Sequence, residues 1–506
     1  MRFKGLQWGI ICLTLCTILV SGFTISVSAA TFPDVPENHW ASGEIHRSLE
    51  LGFFQGDQSG NFGVGRAMTR ATFTVVLCRF FGWEMSEPTR PIYQDVPTDA
   101  WYASAVEAAY HHGALTDQRT EFRPSAPITR EEVAVMLVRA LGYGSIAGLT
   151  QDLYCPFQDV TTNIGYLTMA YDMGLMKGTS ATVFAPDKTA TREQVAVILV
   201  RLYDELYAPT PEKMAIVGQK ESDEAVWNTL DVVALNVGQL VYSGDETLLS
   251  FPMGKENTTM MKENTQGQEA EVLLGVRGDT SVLVTASATE IASVLGKAVN
   301  DGGYDGVFLD IPKLQERDKH ALTQLATEVR AAIGNQAFYL VVEAPSWQGK
   351  HYDGYDYAAL GNVADRLVLR LSAYQTTGGS LPIAPVEPLE EVYYTLARMG
   401  EVVDVNKLSL MLTAGGTLYL DGVEEKTLTG QEITALLSDE TVAAHYSNRY
   451  SCAYLTMEYE GKNGVVWYLN EESIRERVRM MRLFRVNQLC VSDLSAMQTD
   501  WLDAVA

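Results

Sequence analysis

The sequence predicts a multidomain chain in which an all-α trimer of repeats precedes an α/β barrel of the (β/α)8 kind. Two observations carry this reading. A pair of short motifs recurs three times between residues 31 and 207, each time ahead of an apolar helical run. Beyond them, continuous apolar strand-like runs alternate with helical stretches, the pattern of a parallel sheet covered by helices. A chain of 506 residues also exceeds one ordinary core, and roughly two to four domains are expected.

Residues 1–30 read as a secretory signal. Arg2 and Lys4 precede an apolar run, and the small residues Ser28, Ala29 and Ala30 place cleavage after Ala30. An uncleaved anchor is the alternative, but Gly22, Thr24 and Ser26 interrupt the run short of a comfortable span. Leu15 before Cys16 argues against lipidation, which needs a small residue there. After cleavage no direct membrane insertion is expected. Cys12 and Cys16 leave with the signal, and the spacing of Cys78, Cys155, Cys452 and Cys490 suits no metal site. Cys78 and Cys490 sit in apolar runs and read as small buried hydrophobes, while disulfides stay open.

Acidic residues outnumber basic ones by 63 to 38, for a net charge of -25. That charge repels phosphate backbones and anionic headgroups, so no nucleic-acid partner is expected. It also suits an exported protein that must stay soluble. No Gly-rich phosphate loop, HExxH helix or Gly-x-Ser-x-Gly elbow occurs, and no cofactor or metal is expected.

The first repeated motif is Phe32-Pro33-Asp34-Val35, which returns as Tyr93-Gln94-Asp95-Val96 and Phe157-Gln158-Asp159-Val160, at intervals of 61 and 64 residues. The second is Thr69-Arg70-Ala71-Thr72, matched by Thr129-Arg130-Glu131-Glu132 and Thr191-Arg192-Glu193-Gln194. Each threonine is a natural N-cap for the apolar run that follows. Between the motifs lie Trp40 or Trp101, a helical stretch, a turn at Gly52, Gly113 or Gly174, and a loop leading to Phe62, Phe122 or Phe184. Each unit is therefore about two helices joined by a turn. One such unit buries too little apolar surface to stand alone, so the three should share a core and leave grooves between them.

These paired motifs resemble the S-layer homology (SLH) repeat, in three copies over residues 31–90, 91–150 and 151–207. The resemblance implies a protein of the cell surface, cell wall or S-layer. It further implies grooves that bind a negatively charged secondary cell-wall polysaccharide, often pyruvylated. Carried over by motif, the groove residues are Arg70, Arg130 and Arg192, with Asp34, Asp95 and Asp159 nearby and Trp40 and Trp101 as stacking faces. An arginine fork beside free helix N-terminal amides suits a sugar carboxylate. The alternative is that these arginines tie repeat to repeat through the aspartates. The third copy departs from the pattern, with Gly165 and Tyr166 where a tryptophan should stand, although Lys177 could add a positive contact. The second copy has Leu115-Thr116-Asp117-Gln118 in place of the usual glycine-rich segment.

Residues 208–224, opening on Ala208-Pro209-Thr210-Pro211-Glu212, read as a linker, and residues 225–506 as the barrel. Its strand-like runs begin at Val232, Val272, Gly306, Phe338, Arg366, Leu408 and Leu489. Active residues of such a barrel sit at strand C-terminal ends.

One run, Tyr304-Asp305-Gly306-Val307-Phe308-Leu309-Asp310-Ile311-Pro312, resembles the strand motif of family 18 glycoside hydrolases, the chitinase-like barrels. Tyr357 to Leu360 with Ala364-Asp365-Arg366 resembles the approach to that family's sixth strand. Gly464 to Tyr468 followed by Glu472-Ser473-Ile474 is similar to its penultimate helix entry, as in the spore-coat and LysM-associated branch. The family's chemistry needs a carboxylic acid to protonate the glycosidic oxygen and an aspartate to orient the substrate N-acetyl group. Here Asp305 and Asp310 match, but the acid's position is Pro312 and the middle acid is Phe308. The sixth-strand methionine and tyrosine are blurred into Arg370-Leu371-Ser372-Ala373-Tyr374, and Ser492 stands for the last-strand tryptophan. Glu343 could be a relocated acid, and Asp493 is a stray carboxylate.

The reading that follows is a surface protein held by its repeats, with a non-catalytic barrel that presents a glycan-binding or protein-binding face. Its rivals are an active hydrolase on N-acetylglucosamine polymers such as peptidoglycan or chitin, using Asp310 or Glu343, and a barrel that serves only as a spacer.

Overall fold

The computed structural model describes residues 32–116, 120–218, 227, 229–243, 246–252, 269–371, 384–497 and 501–505. The signal segment, Asp117 and Gln118, and Tyr374 lie outside these residues. No helix among the described residues is long and apolar enough to cross a membrane.

The repeats supply helices α1 (Ser42–Glu50), α2 (Arg70–Phe81), α3 (Ala103–His111), α4 (Arg130–Ala140), α5 (Gly144–Leu149), α6 (Ile164–Asp172) and α7 (Arg192–Leu206). Each repeat contributes one helix before its turn and one after it, and α5 is an extra segment between the second and third. The motif threonines begin the second helices as expected. The Thr69 hydroxyl accepts from the Thr72 N–H at 3.2 Å, and Thr129 and Glu132 form a reciprocal capping box.

Three short antiparallel bridges, Thr69 to Pro127, Thr129 to Thr189 and Ala67 to Thr191, join first repeat to second, second to third, and third back to first. The array is thus a closed ring around one core. Phe62, Phe122 and Phe184, one from each repeat, are all fully buried in it. Thr162, two residues before α6 as Trp40 and Trp101 are two before α1 and α3, holds the tryptophan's place, and Gly165 is instead the second residue of α6. A Cβ there would lie 2.0 Å from the Ala147 carbonyl oxygen, because α5 packs against α6 at that point.

The second domain contains strands β1 (Glu212–Val217), β2 (Val232–Ser243), β3 (Glu246–Ser250), β4 (Glu271–Arg277), β5 (Gly306–Asp310), β6 (Ala337–Glu343), β7 (Arg366–Arg370) and β8 (Leu408–Leu412). After them come β9 (Gly416–Leu420), β10 (Val423–Leu428), β11 (Ala443–Ser447), β12 (Cys452–Tyr459), β13 (Lys462–Tyr468) and β14 (Gln488–Val491). Parallel pairing runs β1-β2-β4-β5-β6-β7-β8-β14 and closes between β14 and β1, which makes an eight-stranded barrel. All seven predicted runs are barrel strands. The eighth, β1, falls inside the stretch read as linker, so the barrel begins at Glu212 and not at residue 225. Its Met-Ala-Ile-Val run is short and follows two prolines, which disguises it as part of the break.

Two additions decorate the barrel. β3 pairs antiparallel with β2, and β9 to β13 form a five-stranded antiparallel sheet inserted between β8 and the helix Glu471–Leu483. Inside the barrel, side chains of period two fill the axis, among them Met214, Ala234, Leu273, Phe308, Val341, Val368, Met411 and Cys490.

Ring and barrel are in direct contact. The Tyr393 hydroxyl donates to Asp172 at 2.7 Å, Arg485 pairs with Glu205 at 2.6 Å, and the Arg479 guanidinium lies 5.6 Å over the Tyr143 ring. The four cysteines among the described residues are free thiols, and burial raises the pKa of Cys78 to about 12 and of Cys452 to about 11.

Candidate functional sites in the ring and the barrel mouth

Strand parity decides what reaches the barrel mouth. Leu273, Phe308, Val341 and Val368 face the axis, so residues an even number of positions further along each strand face it too. At the C-terminal ends of four successive strands these are Arg277, Asp310, Glu343 and Arg370. Arg277 is in register with Asp310, and Glu343 with Arg370. They line one cavity of about 440 Å³ together with Asn236, Lys313, Lys350, Tyr352 and Ser492.

Arg370 spans the two acids. Its Nη2 donates to Asp310 Oδ2 at 2.5 Å, and its Nη1 to Glu343 Oε1 at 3.2 Å. Asp310 and Glu343 are only 9% and 4% exposed, and this guanidinium is the cation paired with both. Burial pushes the Glu343 carboxyl above its ordinary range, with Arg370 opposing. Burial also works against the charged form of Arg370, but the two carboxylates hold its pKa above the usual arginine value. The Lys313 N–H donates to Glu343, which fixes the turn after β5 with Lys313 in the left-handed region at φ 62°. Tyr357 donates to the Glu343 carbonyl at 2.8 Å.

Parity also separates the two acids that match the family motif. Asp305 precedes the first residue of β5, five positions from Asp310, and so lies at the opposite end of the strand and on its other face. Its carboxylate accepts from the Val272 N–H at 2.8 Å and ties β5 to β4. Asp305 and Asp310 therefore do not form a pair. Phe308, at the middle acid's position, is 3% exposed and packs in the barrel axis. Pro312 lines the cavity where the resemblance calls for the acid. The Ser492 hydroxyl accepts from the Ala414 N–H at 3.0 Å. Asp493 caps a short turn by accepting from the Ser495 N–H at 3.0 Å. Sequence reasoning passed over Arg370 and Arg277, although an arginine closing an apolar barrel strand signals a buried acid or a ligand.

In the ring, the motif aspartates and arginines do not pair as one alternative supposed. Each aspartate serves its own repeat. Asp34 accepts from the N–H groups of Phe62, Gly63 and Val64 at 2.7, 2.6 and 3.1 Å. Asp95 holds Phe122 and Arg123, and Asp159 holds Phe184 and Ala185. Partial burial would raise the Asp34 and Asp159 carboxyls, yet these backbone donors hold both below the ordinary value.

Each arginine reaches the next repeat instead. Arg70 Nε donates to the Phe122 carbonyl at 2.7 Å, Arg130 Nε to Phe184 at 3.0 Å, and Arg192 Nε to Phe62 at 2.8 Å. The guanidinium carbons lie 5.0, 4.8 and 5.0 Å over the same phenylalanine rings. Arg70 is 6% exposed and also pairs with Glu132 at 2.7 Å. A cavity of about 580 Å³ between repeats is lined by Arg70, Arg123, Arg139, Glu131 and Glu132 among others. Trp40 and Trp101 are 61% and 69% exposed, and neither lines that cavity. The Lys177 side chain is exposed, and its carbonyl accepts from Arg130 Nη2 at 2.6 Å.

These features define an eight-stranded parallel barrel carried on a ring of surface repeats. The family model "Glycosyl hydrolases family 18" matches residues 223–484, and the chain belongs to that family. The model "S-layer homology domain" matches residues 31–74, 92–134 and 156–196. The S-layer protein EA1 of Bacillus anthracis is 26% identical over 267 residues, 52% of this chain and 30% of that protein. An endoglucanase of a Bacillus sp. is 30% identical over 271 residues, 49% of this chain and 27% of that protein. The chain thus spans less than a third of the length of either relative. The repeats and the S-layer relatives assign the chain to the cell surface. Among solved structures, the spore cortex-lytic enzyme SleL of Bacillus cereus aligns with a TM-score of 0.51 at 14% identity, over 58% of this chain and 73% of that one. A chitinase from Chromobacterium violaceum aligns with a TM-score of 0.50 at 15% identity, over 58% and 97%. At these identities the likeness concerns the fold.

Proposed function

We propose that the ring holds this protein on a secondary cell-wall polysaccharide, including pyruvylated forms, and that the barrel is a saccharide receptor without hydrolytic turnover. The observation that carries the second half is Arg370 bridging Asp310 and Glu343 at 2.5 and 3.2 Å while Pro312 stands in the acid's position. Protonation of a glycosidic oxygen needs an acid within hydrogen-bond reach of it. The two carboxylates at the mouth both spend their charge on Arg370. Glu343, whose raised pKa would otherwise favour a proton donor, is 4% exposed and held. The polymers in view are peptidoglycan and other N-acetylglucosamine-containing glycans.

The test is release of new reducing ends from purified peptidoglycan and from chitin by the full chain. No release is expected. Release that disappears in Glu343→Gln would establish a hydrolase and end the receptor reading. For the ring, co-sedimentation with sacculi is expected to fall when the attached polysaccharide is stripped, and again in a Trp40→Ala, Trp101→Ala variant. Both tryptophans are well exposed, so their loss spares the core. Binding indifferent to both changes would remove the anchoring claim.

A further inference from the structure

From the charge at the barrel mouth we infer that its ligand is a saccharide carrying an anionic group, a carboxylate or a phosphate, and not a neutral chitin-like chain. The inference rests on the receptor reading above. Four cationic side chains, Arg277, Lys313, Lys350 and Arg370, line the 440 Å³ cavity, against two carboxylates, Asp310 and Glu343. This local excess of positive charge stands in a chain of net charge -25. Arg370 pairs with both carboxylates. Arg277, Lys313 and Lys350 are exposed, and none pairs with a carboxylate among the described residues.

Their placement is fixed by backbone and packing. Arg277 ends β4 on the axis-facing side. Lys313 is presented by its left-handed turn, and Lys350 Nζ lies 5.0 Å over the Tyr352 ring. In a concave site bounded by low-dielectric walls, unpaired cations focus positive potential where an anion would sit.

A second observation points to a sugar rather than a bare anion. Asp310 Oδ2 is taken by Arg370, but Asp310 Oδ1 is buried without a hydrogen-bond partner among the described residues. A buried carboxylate oxygen wants a donor. A carboxylate or fully ionised phosphate supplies none, whereas a sugar hydroxyl or acetamido N–H does. Phe308, Ile216 and Met411 give the cavity an apolar floor for the ring's carbon face. Donor and anionic group on one molecule satisfy both demands at once.

The test is calorimetric titration of the full chain with three probes: chitobiose as the neutral arm, the N-acetylglucosamine–N-acetylmuramic acid disaccharide as the carboxylate arm, and N-acetylglucosamine 6-phosphate as the phosphate arm. The same titrations are run on an Arg277→Gln, Lys313→Gln, Lys350→Gln variant, which changes exposed side chains only. One anionic arm should bind about tenfold or more tighter than chitobiose, weaken as salt is raised, and fall to the neutral level in the variant. Which arm wins identifies the group. Equal affinity for neutral and anionic probes, or an anionic preference that survives in the variant, overturns the inference and leaves a receptor for neutral sugar. No binding by any probe also overturns it. Cleavage of chitobiose would instead overturn the receptor reading beneath it.

Discussion

Replacing Arg370 by methionine would remove the one cation that lies between Asp310 and Glu343 and leave two buried carboxylates facing each other. The structure sets the scale of the penalty. Both acids are more than nine-tenths buried, and the guanidinium touches each of them. Breaking a buried ion pair by deleting one partner costs about 3–5 kcal/mol. For a domain of this size, that is a fall in Tm of roughly 6–10 °C. The effect should depend on pH, with a definite sign. Burial already raises the Glu343 pKa above its unfolded value, and loss of Arg370 raises it further. A group raised in the folded state gives up stability as pH rises through its folded pKa, so the variant should be weakest at neutral pH and recover on acidification. Thermal unfolding of parent and variant at pH 7 and pH 5 measures both features. A variant within 2 °C of the parent at pH 7 and showing no recovery at pH 5 would refute the claim that Arg370 neutralises the mouth.

Two further outcomes follow from contacts elsewhere. Burial raises the Asp172 carboxyl to about 6 against the Tyr393 hydroxyl. Its contribution is therefore full below the unfolded value near 3.8 and is lost as pH rises through about 6. Asp172→Asn should flatten that dependence, gaining about 3 kcal/mol over the parent near pH 8 and little near pH 4, as read from urea midpoints. Arg192→Ala removes the bonds to the Phe62 and Gln55 carbonyls that close the third repeat onto the first. A loss of about 2–4 kcal/mol is expected, seen as faster proteolysis of residues 32–206. For the same reason, lost sacculus binding in arginine variants reports on the ring's folding as much as on any groove, and the tryptophan pair is the cleaner probe.

The repeats were legible because each motif does a local job that its spacing reveals. A threonine three residues ahead of Glu132 caps a helix in any context. The direction in which each arginine points was not, since its partner is a backbone carbonyl in the next repeat and carbonyls leave no mark in sequence. The barrel was legible from seven apolar runs, and its eighth strand was hidden because Met214 to Val217 follows Pro209 and Pro211 with no helix before it. The five-stranded insertion was missed because β10 is almost entirely exposed and carries no apolar run. That Asp305 and Asp310 face opposite ways can be counted from the sequence. Five residues along a strand is an odd step, and an odd step changes face. Arg370 was legible in position but not in role, because Asp310 and Glu343 meet it only once the barrel closes.

The join between the two domains has a consequence for how the protein meets its surroundings. Helix α7 ends at Leu206 and β1 begins at Glu212, so the third repeat passes into the barrel with no spacer, braced by Arg485 on Glu205 and Tyr393 on Asp172. A module on a long flexible tether sweeps out a volume and trades local concentration for reach. This one has no reach to trade. Wherever the ring is seated, the barrel is held at one height and one tilt relative to it, so every molecule in a population presents its mouth alike. Lengthening the segment at residues 207–211 would convert a fixed display into a searching one without altering either domain.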